Sequence, residues 1–327
     1  MPARSRPAAH SYSRSSGVIF MLINTLCWGA ALAISKFAVE STSSFFFLLY
    51  RFGFAALFSL PILIPLWRKH RPTGKNLLEI LGLELIGTTL ALGLLYWGLQ
   101  LTTSLEASLL TMTIPIFVTI GGIMFLQEKE DGHEWMGLGL ALAGTLILTI
   151  EPLLSGRTNG QLFTSLEGNT FIIVSNVAAA AYYLLAKKRY AKYPKFLVTG
   201  ISFWIGAASF LLLALFMSGT ELLPTIQRDL ATPAVLWPSL YMATFGSIIG
   251  LTMYIKGQNA MEASEASLFT YLHPAVSVPL AFLLHQEMPT WLMLLALVVI
   301  GAGVSTAELP RWRKSIRHKK RAYSTRE

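Results

Sequence analysis

A single glutamate lies near the middle of a long apolar run, where an ionised side chain is costly. Glu84 falls within residues 76–99, with Thr88 one helical turn further on. Placing a charged side chain at the centre of a bilayer costs about 2.5–3.5 kcal/mol, so such a residue raises a functional question. A buried carboxyl group without a partner can exchange protons near neutral pH. We hypothesise that Glu84 couples proton movement to solute movement or binds a substrate amine; a structural pair with Lys36 or Arg51 is the alternative.

Two basic side chains also fall inside apolar runs. Lys36 lies near the end of the first run, and Arg51 lies about two helical turns into the second. If both runs cross a membrane, these side chains lie toward the same face and could form a basic vestibule for a carboxylate. Arginine supplies a planar fork of donors that lysine lacks. The alternative is that they extend to the outer interface, which suits Lys36 better than Arg51.

Prolines interrupt two further runs. Pro115 and Pro274 each fall inside a run, where a proline removes a backbone hydrogen bond and bends a helix. Thr111 and Thr270 lie four residues earlier, so each bend would expose carbonyl groups beside a hydroxyl. Interrupted helices near the midplane commonly form transporter sites. His273 adds a group that can titrate near neutral pH, although a lone histidine in an apolar helix is more often a packing residue.

Aromatic side chains are spread over several runs. Trp28 and Tyr271 belong to a set that could line a cavity for an aromatic or amphipathic solute through stacking or cation–π contacts. The other members are Tyr50, Tyr96, Trp97, Trp204, Tyr241 and Tyr254. Lipid-facing or packing positions are the alternative for most of them.

The proline-containing stretches are two copies of one pattern. Glu-Ala-Ser-Leu at 106–109 recurs at 265–268, and the flanking Thr, Pro and Gln-Glu residues recur at the same offset of 159. The two copies end in Glu128 and Glu287. Because a negative charge at a helix C-terminus opposes the helix dipole, another interaction must hold these two carboxylates. We hypothesise a symmetrical pair of gate contacts.

The runs that carry these residues predict an all-α polytopic membrane protein. The chain is 54% hydrophobic and 13% charged, whereas soluble domains carry about 25% charged residues. A helix satisfies its own backbone in lipid, and about 20 apolar residues suffice for one crossing. Ten transmembrane helices are predicted, at 17–39, 45–67, 76–99, 104–126, 134–151, 168–187, 196–217, 233–256, 263–284 and 288–307.

Lysine and arginine counts predict the orientation. Of the 26 basic residues, 22 fall in segments on one side and two on the other, with Lys36 and Arg51 inside runs. The positive-inside rule then makes both termini cytoplasmic. Five crossings per copy invert the second copy, which gives a 5+5 inverted repeat. The predicted parts are a basic tail (1–16), a first unit (17–151), an outside linker (152–167), a second unit (168–307) and a basic cytoplasmic tail (308–327).

The sequence resembles the EamA-type branch of the drug/metabolite transporter superfamily. The resemblance rests on Trp28-Gly29 with Lys36 eight residues on, on Arg51, and on the doubled stretch. It implies a central cavity lined by helices 1–4 and 6–9, with helices 5 and 10 as outer supports, and transport without ATP hydrolysis. It identifies no substrate. At an offset of 152 the second half departs from the pattern, because Phe203 stands where Arg51 would recur.

Enzymatic and cofactor chemistry find little support in the sequence. The only cysteine, Cys27, excludes a disulfide or a cysteine-based zinc site within one chain. Both aspartates, Asp131 and Asp229, fall in predicted loops. The chain has no HExxH, GxSxG or phosphate-binding-loop motif. We expect no cofactor and no metal. The net charge of +9 suits anionic lipids better than nucleic acid, because the basic residues flank apolar runs.

The expected function is secondary transport of a small organic metabolite by alternating access, in the plasma membrane, with a bacterial inner membrane expected. Export of an amino acid or related amphipathic compound is the single guess, and it comes from the resemblance. The sequence does not decide whether protons are the coupled ion. It also does not decide whether the protein forms a homodimer. The alternatives are a membrane receptor or scaffold that binds a small molecule without flux and, third, an intramembrane enzyme. Flux across a sealed vesicle separates these classes.

Overall fold

All regular structure in the described part of the chain is helical. The computed structural model describes residues 14–126, 132–154, 159–190, 193–260, 269, 272–303 and 305–306. Runs of apolar residues with few interior charges favour helices here, because only a helix satisfies its backbone within one segment. Short polar stretches separate the first helices, at residues 42–43, 71–73 and 102–103. Ser43 and Thr103 cap the helices that follow by accepting hydrogen bonds from the amides of Phe46 and Glu106.

Ten apolar helical stretches follow one another within these residues, and we number them α1–α10. Seven are long and apolar enough to cross a membrane, whereas α4, α9 and α10 are shorter. Each overlaps one of the ten predicted runs, and residues 263–268 and 270–271 of the ninth run lie outside the described residues. Their bounds are α1 (Arg14–Gly29 and Ala31–Ser41), α2 (Ser44–His70), α3 (Gly74–Glu84, π-helical Leu85–Ala91 and Leu92–Leu101), α4 (Ser104–Thr111 and Ile114–Leu126), α5 (Gly132–Leu154), α6 (Asn159–Arg189), α7 (Lys195–Ser218, then Gly219–Glu221 and Leu222–Ala231), α8 (Pro233–Tyr241, π-helical Met242–Ile249 and Gly250–Ala260), α9 (His273–His285) and α10 (Trp291–Gly303).

The helix bounds recur at the sequence offset of 159. Adding 159 to the first and last residues of α3 gives those of α8. The same addition converts the second segment of α4, Ile114–Leu126, into α9, and the first residue of α5 into that of α10. Both α3 and α8 contain a π-helical segment near the middle. These matches support the sequence duplication; the placement of the termini on the cytoplasmic side stays a prediction.

Glycines allow the closest helix contacts. A Cβ atom on Gly144 of α5 would lie 2.6 Å from Ile300 Cγ1 of α10, and one on Gly303 would lie 2.6 Å from the carbonyl oxygen of Gly137. Gly144 and Gly303 are again 159 residues apart. The backbones of α5 and α10 therefore approach one another at repeat-related positions.

Aromatic and aliphatic side chains fill the centre of the bundle. Phe52 of α2 stacks on Phe210 of α7 with ring centroids 5.8 Å apart, and the buried core extends to Phe47 and Tyr96. This packing holds α2 and α7 against one end of α3.

The prediction that Asp229 lies in a loop is wrong. Asp229 belongs to the short helix Leu222–Ala231 and is buried. Its carboxylate accepts hydrogen bonds from Thr42 and Tyr50 and forms an ion pair with Arg228. A buried carboxylate is tolerated here because hydroxyl donors and a cation surround it.

Candidate functional site

Glu84 lies fully buried in α3, at the last residue before the π-helical segment. Three hydroxyl groups donate hydrogen bonds to its carboxylate: Thr88 at 2.6 Å, Tyr182 at 2.9 Å and Tyr190 at 2.8 Å. The expectation of a carboxyl group without a partner is therefore wrong. So is the structural alternative of a pair with Lys36 or Arg51, because these side chains bind elsewhere. The donors to Glu84 come from α3 itself and from the end of α6.

Local features of α3 and α6 bring the tyrosines to Glu84. Gly87 leaves room for Tyr182, because a Cβ there would lie 2.4 Å from the Tyr182 ring. An ion pair of 3.2 Å between Arg189 and Glu79 joins the same two helices one turn away. Burial, followed by the Glu84 charge, raises the pKa of the Tyr190 hydroxyl, which lies just beyond the membrane span of α6. Tyr190 therefore stays a neutral donor.

Lys36 binds the end of α3. Its Nζ donates to the carbonyl oxygens of Leu99 at 2.9 Å and Thr102 at 2.6 Å, and lies 3.7 Å from Glu40. A lysine on the last carbonyls of a helix complements the helix dipole. The side chain is buried, so the interpretation that Lys36 extends to the interface is wrong. Its two backbone contacts also leave it little capacity for a substrate carboxylate.

Arg51 leaves more of its hydrogen-bond donors unused than Lys36 does. Its Nη1 donates to the Tyr96 hydroxyl at 2.9 Å, and its guanidinium lies 5.2 Å from the Phe52 ring centroid and 5.5 Å from that of Tyr96. No carboxylate of the described residues lies within 4 Å of it. Its Nε is buried without a hydrogen-bond partner in this part of the chain. Arg51 is thus a half-buried cation with unused donors inside a membrane span.

The two prolines begin helices rather than bending continuous ones. In α4 the helix ends at Thr111 and restarts at Ile114, so Pro115 is the second residue of the new segment. Pro274 is likewise the second residue of α9. A proline in the first helical turn sacrifices no hydrogen bond, because that amide has no intrahelical acceptor. In α4 the predicted interruption is present, but the predicted bend within a continuous helix is wrong. Most residues that precede α9 lie outside the described part of the chain.

Neighbouring helices bind carbonyl groups just before both of these helix starts. Asn176 of α6 donates to the Leu110 carbonyl at 2.8 Å and to Thr113 Oγ1 at 2.9 Å. Thr25 of α1 donates to the Phe269 carbonyl at 3.3 Å. Leu110 and Phe269 are 159 residues apart, so the two contacts fall at repeat-related positions. Thr111 bonds the carbonyl of its own turn, and Thr270 lies outside the described residues.

Trp28 joins α1 to α8 and α9. Its Nε1 donates at 2.8 Å to the Gly246 carbonyl in the π-helical segment of α8. The Trp28 ring lies 5.3 Å from Tyr254 and 6.4 Å from His273, between ring centroids. Tyr271, the other aromatic residue predicted here, lies outside the described residues.

Polar atoms near these helices lack partners. His273 Nε2 and Ser277 Oγ on α9, and Ser247 Oγ on α8, are buried without a hydrogen bond in the described part of the chain. Buried polar groups are normally paired, so these atoms are available to a bound solute. The sequence analysis did not single out Ser247, because the sequence does not show whether the hydroxyl group of a helical serine finds a hydrogen-bond partner.

Glu287 binds the start of α4. Its carboxylate accepts hydrogen bonds from the Ser104 amide at 3.0 Å, the Ser104 hydroxyl at 2.7 Å and the Leu105 amide at 2.8 Å. The free amides and the dipole of a helix N-terminus favour a negative charge. This contact is the additional interaction that a carboxylate at the end of α9 requires. Glu128 lies outside the described residues, so the pairing of two gates stays a prediction.

Comparison with known proteins places these features in a family. A family model described as the EamA-like transporter family matches residues 15–150 and 166–307. An uncharacterized transporter of Archaeoglobus fulgidus is 24% identical over 88% of this chain and 95% of its own length. The uncharacterized inner membrane transporter YedA of Escherichia coli is 26% identical over 90% and 91%.

A solved structure shares the fold. One crystal structure superposes with a TM-score of 0.60 at 15% sequence identity, and covers 91% of this chain and 98% of that one. At this identity the likeness concerns the fold alone. Together with the helices described above, the family match over nearly the whole chain leads to one conclusion: the protein is a multi-pass membrane protein that belongs to the EamA-like transporter family.

Proposed function

We propose that the protein is a secondary transporter that moves a small organic metabolite by alternating access, without ATP hydrolysis. An amino acid or related amphipathic compound is the proposed substrate class, and export is the proposed direction. The name of the Escherichia coli relative, an inner membrane transporter, supports a plasma-membrane location. The absence of enzyme motifs from the sequence fits transport rather than catalysis.

One observation carries the proposal. Helix starts, and backbone carbonyl groups that accept hydrogen bonds from side chains of other helices, recur at repeat-related positions. The segment Ile114–Leu126 and α9 have the same length and the same proline position. Side chains from α6 and α1, which are themselves repeat-related, bond the carbonyls of Leu110 and Phe269. Interrupted backbone at membrane depth is tolerated where it lines a cavity, and paired interruptions are typical of alternating-access transporters.

Helix directions support the inversion of the two halves. The C-terminal ends of α1 and α3 meet, because Lys36 binds the Leu99 carbonyl. In contrast, α1 runs antiparallel to α8, since Trp28 binds Gly246 whereas Met21 approaches Gly257. The repeat-related helices α3 and α8 therefore point in opposite directions. Such an arrangement suits one site that opens alternately to each face.

Distance separates the proposed roles of Arg51 and Glu84. Arg51 contacts Tyr96, which lies twelve residues from Glu84 along α3, or about 18 Å at 1.5 Å per residue. The amine and carboxylate of one amino acid are bonded to the same carbon, only about 2.5 Å apart. These two groups of an amino acid are far closer together than the two positions along α3. We assign the substrate carboxylate to Arg51 and proton coupling to Glu84.

The surroundings of Glu84 suit a group that changes protonation. Its donors among the described residues are neutral hydroxyls, so no fixed cation holds the carboxylate charged. When protonated, the carboxyl group can donate one hydrogen bond, and a tyrosine oxygen can accept it. The same three neighbours can thus form hydrogen bonds with both the charged and the protonated carboxyl group.

Reconstitution tests the proposed function. The purified protein, sealed in proteoliposomes, would be offered labelled amino acids and labelled organic cations with and without a pH gradient, and counterflow would be measured. We expect uptake that a pH gradient accelerates, and counterflow of at least one class. Binding of a solute without any flux would contradict transport and favour a receptor or scaffold.

A further inference from the structure

An apolar groove of about 710 Å³ lies on the side of the bundle between α2, α3 and α7. Leu81 and Leu85 of α3 form one wall, and Ile205 and Leu212 of α7 form another. Several of these side chains are exposed, so the groove opens to the surroundings of the bundle. It is separate from the partners of Glu84, because Leu81 and Leu85 flank that residue while the carboxylate points to α6.

The groove has the length of one lipid leaflet. Its lining extends from Leu77 to Leu85 on α3 and from Ile201 to Leu212 on α7. At 1.5 Å per residue these stretches span about 12 Å and about 16 Å. The hydrocarbon of a bilayer is about 30 Å thick, so one leaflet is about 15 Å. A single acyl chain matches this length.

The positively charged side chain of Arg68 lies at one end of the groove. Arg68 lines it from the last turn of α2 and is exposed. No carboxylate of the residues described lies within 4 Å of Arg68. Trp67 lies at the same end, as expected at a membrane interface. Guanidinium groups bind phosphate through paired hydrogen bonds.

We propose that the groove binds one anionic phospholipid of the phosphatidylglycerol type. Its phosphate binds Arg68 and one acyl chain lies along α3 and α7. The net negative charge of the lipid complements the basic residues at the end of α2, in the connection and at the start of α3, which are Lys69, Arg71 and Lys75. The lipid belongs to the leaflet on that side, which basic-residue counting makes cytoplasmic. This site goes beyond transport, and its test needs no transport assay.

Native mass spectrometry of delipidated protein tests the site. Phosphatidylglycerol and phosphatidylcholine with identical acyl chains would be titrated separately, and the first bound lipid counted. We expect wild type to bind the first phosphatidylglycerol about ten-fold more tightly than phosphatidylcholine, because the choline cation of phosphatidylcholine offsets the phosphate charge that Arg68 attracts. Arg68→Ala should lose this preference. Ala208→Trp, which fills the groove from an exposed position, should lose the first binding event for both lipids.

Arg71→Ala is the matched control. It removes the same charge three residues away, just after the end of α2, and Arg71 does not line the groove. We expect it to keep the wild-type preference. Equal losses in Arg68→Ala and Arg71→Ala would overturn the site in favour of general attraction to a basic loop. Unchanged binding in Ala208→Trp, or equal affinity of wild type for both lipids, would also overturn it.

Discussion

Glu84 shows how a carboxyl group can be kept within a membrane span without a fixed cation among its described neighbours. A carboxylate offers about four acceptor sites, and three hydroxyl groups occupy most of them here. A salt bridge would favour the charged state strongly, whereas hydroxyl groups can pair with either state. The proposed proton coupling at Glu84 rests on this set of neutral donors.

The first prediction concerns Glu84→Gln. The amide keeps an oxygen acceptor for the hydroxyl groups but does not titrate between pH 5 and 8. We expect flux driven by a pH gradient to fall to the level without a gradient. Initial uptake rates in proteoliposomes, measured across this pH range, check the outcome.

Glu79→Gln is the control for this substitution. Glu79 lies on the same helix, partly exposed, and pairs with Arg189. We expect it to keep the gradient-driven flux, because a partly exposed ion pair contributes little. If Glu84→Gln transported with the wild-type pH profile, Glu84 would have a structural role only.

Sequence reasoning located Glu84 but not its partners. A carboxyl group in an apolar run is visible from composition, whereas Tyr182 and Tyr190 approach from a helix about 100 residues away. That approach depends on the missing side chain of Gly87. The contacts of Lys36 were missed for a related reason, since its acceptors are backbone carbonyls, which no sequence pattern marks.

At the scale of elements, contacts between helix ends are the natural places for gates. Glu287 joins the end of α9 to the start of α4 through three hydrogen bonds. It also lines a cavity of about 400 Å³ with Thr102 and Thr290. Opening this face would require the carboxylate to leave the helix terminus.

The second prediction concerns Glu287→Gln. Loss of the charge weakens a helix-terminus contact by about 0.3–1 kcal/mol, which corresponds to roughly two- to five-fold in an opening equilibrium. Met293 is buried and lines the same cavity. In a Cys27→Ser background, we expect a cysteine introduced as Met293→Cys to react two- to five-fold faster with an impermeant maleimide when Glu287 is Gln.

Glu221→Gln serves as its control. Glu221 is exposed in the short turn Gly219–Glu221 within α7, and it is not among the residues that line the cavity with Glu287. We expect the reaction rate at position 293 to stay unchanged. An unchanged rate in Glu287→Gln as well would contradict a gating role for Glu287.

The third prediction concerns the contact between α5 and α10. Gly144→Ala places a methyl group 2.6 Å from Ile300 Cγ1 and 3.0 Å from the Ala296 carbonyl oxygen. Ile300 is fully buried, so it has little room to move. We expect a loss of about 1–3 kcal/mol in stability, the usual cost of overpacking, measured as a lower melting temperature in detergent.

Gly139→Ala in the same helix provides the comparison. A Cβ at Gly139 meets no atom within 4 Å. Alanine favours a helix over glycine by about 1 kcal/mol, so this variant should be neutral or slightly stabilised. Equal destabilisation of both variants would show that the close contact with α10 is not the cause.

Helix positions were predictable because apolar runs and the duplication are strong signals. The exact positions of the helix breaks were harder to predict. Proline was expected to bend continuous helices, but Pro115 begins a new segment after Thr111. Whether a proline bends or restarts a helix depends on partners for the freed carbonyls, and Asn176 supplies that partner from a distant helix.

At the scale of the whole molecule, the duplication organises both packing and proposed function. Repeat-related residues make matching contacts at Gly144 and Gly303 and at the carbonyls of Leu110 and Phe269. Features outside the repeat are informative too. Arg51 and Glu84 have no charged counterparts in the second half, at Phe203 and Ala243, so any chemistry they perform belongs to one half alone.

The proposed alternating access rests on opposite orientation of the two halves, which can be measured at one pair of positions. Gly74 and Pro233 are exposed first residues of α3 and α8, and they lie 159 residues apart. Each would be changed singly to cysteine in the Cys27→Ser background and labelled with an impermeant maleimide in cells and in inverted vesicles. We predict that Gly74→Cys reacts only from the cytoplasmic face and Pro233→Cys only from the outside. Reaction of both from the same face would contradict an inverted repeat and, with it, the proposed alternating-access mechanism.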